Sequence, residues 1–238
     1  MENTINAADY GTYHLEFFAM FVLAGIGTRL PFVRLPLRWL ETFFHEMSHG
    51  LAALLTFGRP LKLQLKWNGA GVMTSRGGWS IPILLAGYIG ASAWGLVIYL
   101  AGYYMGQGSA VVLTATLFVF IVVCTLLFVR DVVTLMIMGL LAGFFYVPLQ
   151  FTHIEFFPDL LRFIGLGVGF NALKAPLDLI DGQLVGDGAE LQRKTLIPEG
   201  VWILLWFFIG ILSIIYMWQI PLPPTERLFD FLPFIEKL

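Results

Sequence analysis

The sequence predicts an all-α polytopic membrane protein of about six to seven transmembrane helices, with a small β-hairpin after the second of them. Three observations carry this reading. Of the 238 residues, 58% are hydrophobic and only 13% charged, where a soluble chain carries about a quarter charged residues. The apolar residues fall in blocks near the roughly 20 residues that a helix needs to cross hydrocarbon, and mean hydropathy is +0.80. Polar residues gather instead in two connections, 60–76 and 181–198. The net charge of −2 and the lack of a basic cluster argue against nucleic acid as a partner. A single cysteine, Cys124 in an apolar run, excludes an intrachain disulfide. The opening "MENTINAADYGTYH" lacks the basic start of a signal peptide and reads as a polar lead-in.

Seven segments qualify in order. The first, Leu15 to Leu30, is short. The second, Leu37 to Phe57, contains "FFHEMSHGLAALL". The third is Trp79 to Met105 and the fourth Ala110 to Val129. Arg130 and Asp131 make a tight junction to the fifth, Val132 to Phe151. The sixth is Leu160 to about Ile180, the late helix of 160–182. The seventh, Val201 to Gln219, precedes a proline-rich tail at 220–238. Between the second and third, "PLKLQLKWNGAGVMTSR" alternates apolar Leu61, Leu63, Leu65 and Trp67 with polar Lys62, Gln64 and Lys66, a period of two that predicts strand, and "NGAG" supplies the turn. The apolar face should lie against the bundle or the lipid interface, and an unpaired edge would offer backbone groups to an extended ligand, so a proline at Gln64 should disturb it. Residues 181–198 read as an exposed loop. No internal repeat or second domain is evident, so 1–238 reads as one integral-membrane domain. Seven crossings would put the hairpin, Arg130 and the 181–198 loop on one side, which the positive-inside rule makes cytoplasmic by a narrow margin.

Chemistry concentrates in the second segment. His45 and His49 are four apart and share a helix face, so two imidazoles can hold one zinc. Glu46 stands beside the first and can take a proton from water on the metal, whose pKa the metal lowers toward about 7. This is the H-E-x-x-H arrangement. A buried histidine is often only a satisfied core group, but ionisable side chains in a membrane helix are costly and mark function. Gly50, Ala52 and Ala53 leave a small-residue face for a neighbouring helix.

A catalytic zinc takes three protein ligands and keeps one open position. In "FNALKAPLDLIDGQ", Asn171, Lys174, Asp178 and Asp181 fall at helical offsets 0, 3, 7 and 10 and share a face, so either aspartate could supply the third ligand. Alternatively the two acids simply end the helix in water, with Lys174 neutralising Asp178. His153 belongs near the opposite surface, and His14 precedes the first span.

With those residues in view, the chain resembles the site-2 protease class of intramembrane zinc metallopeptidases, and within it the small bacterial and plant branch without a PDZ domain. "HEMSHGLAALLTFGRPLKLQL", "GAGVMTSRGGWSIPILLAGYIGASAWG" and "LIPEGVWILLWFFIGI" carry the likeness, over roughly 40–215. The resemblance implies zinc on His45 and His49, Glu46 as general base, and an aspartate ligand from the late helix. The "DL" pair favours Asp178, and the aspartate-before-glycine habit of the wider class favours Asp181 as the alternative. It also implies a substrate-positioning role for Asn171, a membrane-protein substrate cut in or near its transmembrane segment within the lipid bilayer, and a bacterial inner membrane as the location. Two other function classes compete: a catalytically silent scaffold or adaptor that retains the site, and a metal or solute transporter, which the absence of an inverted repeat disfavours.

Overall fold

The computed structural model describes residues 7–180, 183, 185–220, 222, 227 and 228. Asp181 and most of the proline-rich tail therefore lie outside the described residues. Eight α-helices and one two-stranded antiparallel sheet are described: α1 (Ala7–Gly27), α2 (Pro31–Leu55), β1 (Arg59–Leu65), β2 (Gly71–Arg76), α3 (Ser80–Tyr104), α4 (Gln107–Phe128), α5 (Val132–Tyr146), α6 (Phe157–Lys174), α7 (Asp187–Thr195) and α8 (Glu199–Gln219). Short 3-10 turns follow α5 (Pro148–Phe151) and α6 (Ala175–Leu179). Five helical segments are long and apolar enough to cross a membrane, and six if α1 and α2, which meet at 97°, form one broken span. The side assignment, which presumes seven crossings, does not carry over.

Apolar side chains point both ways, as the bilayer allows. Val97, Val112, Leu126, Leu135 and Leu204 face outward, where lipid takes the place of water. Inward, Phe43, Phe44 and Met47 of α2 pack with Ile98 of α3, Leu117 and Ile121 of α4, Met138 and Leu141 of α5, and Leu161 and Ile164 of α6. The α3–α6 crossing is close because both helices carry glycine there. A Cβ on Gly165 would stand 2.5 Å from the Tyr99 amide nitrogen, and one on Gly95 2.8 Å from that of Gly169. Small residues admit such backbone approach in membrane bundles. Gly165→Ala is expected to force the helices apart at about 1–3 kcal/mol, read as a lower Tm in detergent. An unchanged melting curve would show that the crossing tolerates a methyl group.

The hairpin is where the alternation places it, with its long face only partly buried. Leu63 and Leu65 are fully covered, but Leu61 and Trp67 remain about half exposed. An irregularity between Pro60 and Lys62 shifts the register there, and Trp67 leans edge-on against Trp39. The junction between α4 and α5 holds the outer side of β1. Leu63 bridges Val129 in parallel, and the Leu65 amide donates to Thr134 Oγ1 at 3.0 Å. Asp131 caps α5 by accepting from the Thr134 amide at 2.9 Å, and these hydrogen bonds hold its carboxyl below the usual range. Gln64 thus sits on a covered strand, paired with Val72, and β2 carries the free edge.

Candidate metal centre

Helix α2 passes through the bundle, and its whole run from Trp39 to Gly50 is buried. His45 and His49 project from one face of it. His49 Nδ1 donates to the Ile83 carbonyl of α3 at 2.6 Å, which in a neutral ring leaves the Nε2 lone pair free and fixes the plane of the imidazole. Tyr88 meets His45 edge-on with ring centroids 4.4 Å apart, and Trp206 of α8 lies behind it. The helix that carries Tyr88 can come this near because residue 87 is glycine: a Cβ there would lie 2.5 Å from His45 Nε2 and 2.6 Å from His49 Cε1.

The third member is Asp187. Its Oδ2 lies 3.2 Å from His45 Nε2 and 3.2 Å from His49 Nε2, and the two nitrogens are 3.0 Å apart. Among the described residues this is the one cluster of three histidine, cysteine or acidic side chains close enough to share a metal ion. Ligands on a tetrahedral zinc at about 2.0–2.1 Å are roughly 3.3 Å from one another. The triangle of donors is close to that size, and its two imidazoles and one carboxylate are a donor set that zinc accepts. Burial would push the Asp187 carboxyl up, but the two imidazoles beside it outweigh that and hold the group well below the ordinary carboxylate range. The first turn of α7 adds a partial positive charge beside it.

The geometry sets Asp178, the expected third ligand, apart from the two imidazoles. The face shared by Asn171, Asp178 and Asp181 required an unbroken helix, but Pro176 cannot continue one and α6 stops at Lys174. Asp178 comes off the 3-10 turn into solvent, its side chain 72% exposed and 3.5 Å from Arg38 Nη2. Lys174 does not neutralise it at i,i+4 as supposed; the ammonium donates to Thr28 Oγ1 at 3.3 Å and lies over the Phe170 ring. Asp181, the alternative, is outside the described residues. Asn171 lines the same cavity as the histidines and donates to the Gly167 carbonyl at 3.0 Å. His153 is exposed at the α5–α6 connection, and His14 packs on Trp218.

Residues 187–195, expected as loop, form α7 and fold back onto the bundle. Gly186 has φ 106° and ψ −174°, a backbone conformation essentially reserved for glycine, and it turns the chain so that Asp187 opens the helix facing α2. Leu191 is buried against Tyr88 and Trp206. Gly188 admits the Glu199 carboxylate, 2.7 Å from where a Cβ would be. One signal in the sequence could have found the residue: Asp187–Gly188 repeats the Asp–Gly pair that made Asp181 a candidate.

Glu46 completes the site. Its Oε2 accepts from the Met73 amide of β2 at 2.6 Å, so that amide points away from β1 toward the cavity. By the alternation of an antiparallel strand, the backbone groups of Gly71 and Ser75 point the same way. The cavity, about 760 Å³, is lined by His45, Glu46, His49 and Asp187 at one part and by Gly71 to Met73 of β2 alongside.

Compared with known proteins, residues 18–217 match the family model described as Peptidase M50B-like. No curated protein and no solved structure matches the chain.

Proposed function

Because the chain belongs to the Peptidase M50B-like family, we propose that it is an intramembrane zinc endopeptidase that hydrolyses peptide bonds in or near transmembrane segments of other membrane proteins. The observation that carries the reading is the triangle of His45, His49 and Asp187 beside Glu46, opening on a cavity inside a helix bundle. Those three residues would hold zinc, which would supply Lewis-acid polarisation of the scissile carbonyl and of the attacking water. Glu46 takes a proton from that water as it attacks and delivers it to the departing amine, so the C–N bond breaks with no net change in the enzyme. Tyr88, backed by Trp206, and Met73 line the cavity beside Glu46, which keeps the carboxylate in an environment where its charge acts strongly. In this reading the Asn171 amide holds the substrate near the metal residues, and the bacterial inner membrane is the location.

A helical substrate hides its peptide bonds, so the segment must be extended before it is cut. The free edge of β2 supports a way to hold it, by adding a strand beside the site. The alternation that turns the Met73 amide toward Glu46 turns the Ser75 amide the same way, off the hairpin. Ser75→Pro is therefore expected to leave the hairpin and the zinc in place while cleavage falls about tenfold, roughly the 1.4 kcal/mol of a lost backbone hydrogen bond. Unaltered turnover in a zinc-loaded Ser75→Pro protein would reduce the hairpin to a cap.

The deciding experiment uses Glu46→Gln. The purified variant should keep about one zinc per chain and lose cleavage of a single-span test substrate by a factor of at least 10². Zinc-loaded unaltered protein that cuts nothing, or a Glu46→Gln protein that cuts as well as the unaltered one, would sink the peptidase reading.

A further inference from the structure

The same cavity carries an unbalanced set of cations away from the metal residues. Arg29, Arg34, Arg38 and Lys174 all line it. The acids that face them are Asp178, which pairs with Arg38 at 3.5 Å, and Glu41, which is buried below the rim. Among the described residues Arg29 and Arg34 take part in no ion pair, and both are exposed. Arginines near a membrane surface often serve lipid phosphates, but three features aim these inward. Arg34, Arg38, Glu41 and His45 fall at offsets 0, 4, 7 and 11 on α2, one face of the helix that leads straight to the metal residues. Lys174 is partly buried and lies over the Phe170 ring within the bundle. The hairpin runs along this same face: the Gly69 carbonyl accepts from Thr42 Oγ1 at 2.7 Å, and four residues on the Met73 amide meets Glu46. An extended chain laid on β2 would follow α2 from His45 toward Arg38 and Arg34.

Resting on the peptidase reading above, we propose that this rim selects substrates that carry acidic side chains about three to five residues to one side of the cleaved bond. The spacing follows from the two geometries. A helix rises about 1.5 Å per residue, so Arg38 and Arg34 lie roughly 10 and 16 Å along the axis from His45. An extended chain covers about 3.3 Å per residue, which places those charges opposite its third and fifth positions. Each exposed pair contributes at most about fivefold, and several acting together reach roughly tenfold or more.

The test measures kcat/KM for the full-length, zinc-loaded protein in zwitterionic bilayers and in bilayers containing anionic lipid. Single-span substrates carry Glu, Gln or Lys at the third to fifth positions on either side of the cleaved bond, which is mapped by mass. Glu on one side should exceed Lys by about tenfold or more, the ratio should shrink as salt rises, and in R29E/R34E it should reverse. Zinc content checks that this double variant is folded, and R34E alone should give an intermediate ratio. Equal rates for Glu and Lys, or a ratio that R29E/R34E leaves unmoved, overturn the proposal while the peptidase reading stands. A dependence on anionic lipid with none on substrate charge also overturns it and assigns the rim to headgroups. No cleavage of any substrate at full zinc loading overturns both.

Discussion

Asp187→Ala is expected to abolish zinc retention and cleavage together, while Asp178→Ala keeps both. Asp187 Oδ2 touches both imidazole nitrogens, whereas Asp178 reaches only Arg38 at the rim. Losing a group that merely orients a ligand costs about 10- to 100-fold in affinity or activity, so losing a direct donor should exceed that. The variant should stay folded. Asp187 is the first residue of a nine-residue helix, and α7 is held by Leu191 against Tyr88 and Trp206 rather than by the carboxylate. Metal content of chelator-free preparations decides the matter: Asp187→Ala with a full complement of zinc, or Asp178→Ala with none, would return the third ligand to the α6 end.

The contrast between these two aspartates shows what was legible in the sequence and what was not. The spans were legible because bilayer thickness turns apolar length into structure, and α3, α4 and α8 begin and end within three residues of the expected bounds. The H-E-x-x-H pair was legible because its geometry is local: four residues on one helix suffice. The hairpin was legible from its period of two, except that Leu61 and Trp67 answer to the register irregularity and to Trp39 rather than to the alternation. The third donor depends on where a second chain segment returns in space, and two local facts decided that. Pro176 stops α6 before Asp178 can join its face, and Gly186 turns a polar stretch back onto the bundle. Composition read 181–198 as solvated because its charges dominate. The three residues that bury it, Gly188, Ala189 and Leu191, are too few to show as a period. The bend that makes α1 and α2 one broken span at most is likewise a tertiary result, since the two are long and apolar enough to cross only when taken together.

Gly87→Ala is expected to remove zinc binding and activity without unfolding the bundle, although the substitution adds one methyl group at a residue that binds nothing. The methyl carbon would stand 2.5 Å from His45 Nε2, 2.6 Å from His45 Cε1 and 2.6 Å from His49 Cε1, all inside van der Waals contact. Neither ring can yield cheaply. His49 is tied to the Ile83 carbonyl one turn earlier on the same helix, and His45 is closed in by Tyr88. Moving α3 instead would open its crossing with α6, where Gly95 and Gly165 already bring the backbones together. The rings must therefore swing, and a displacement near 1 Å of a catalytic group costs about 10² in rate. Because alanine is a good helix former and the α3–α6 crossing lies two or more turns away, the melting temperature should move far less than the zinc content does. Measuring both on one preparation separates the cases. Zinc and turnover retained in Gly87→Ala would mean that the imidazoles hold their metal in some arrangement other than this one, and a collapsed Tm would mean that residue 87 supports the fold rather than the site.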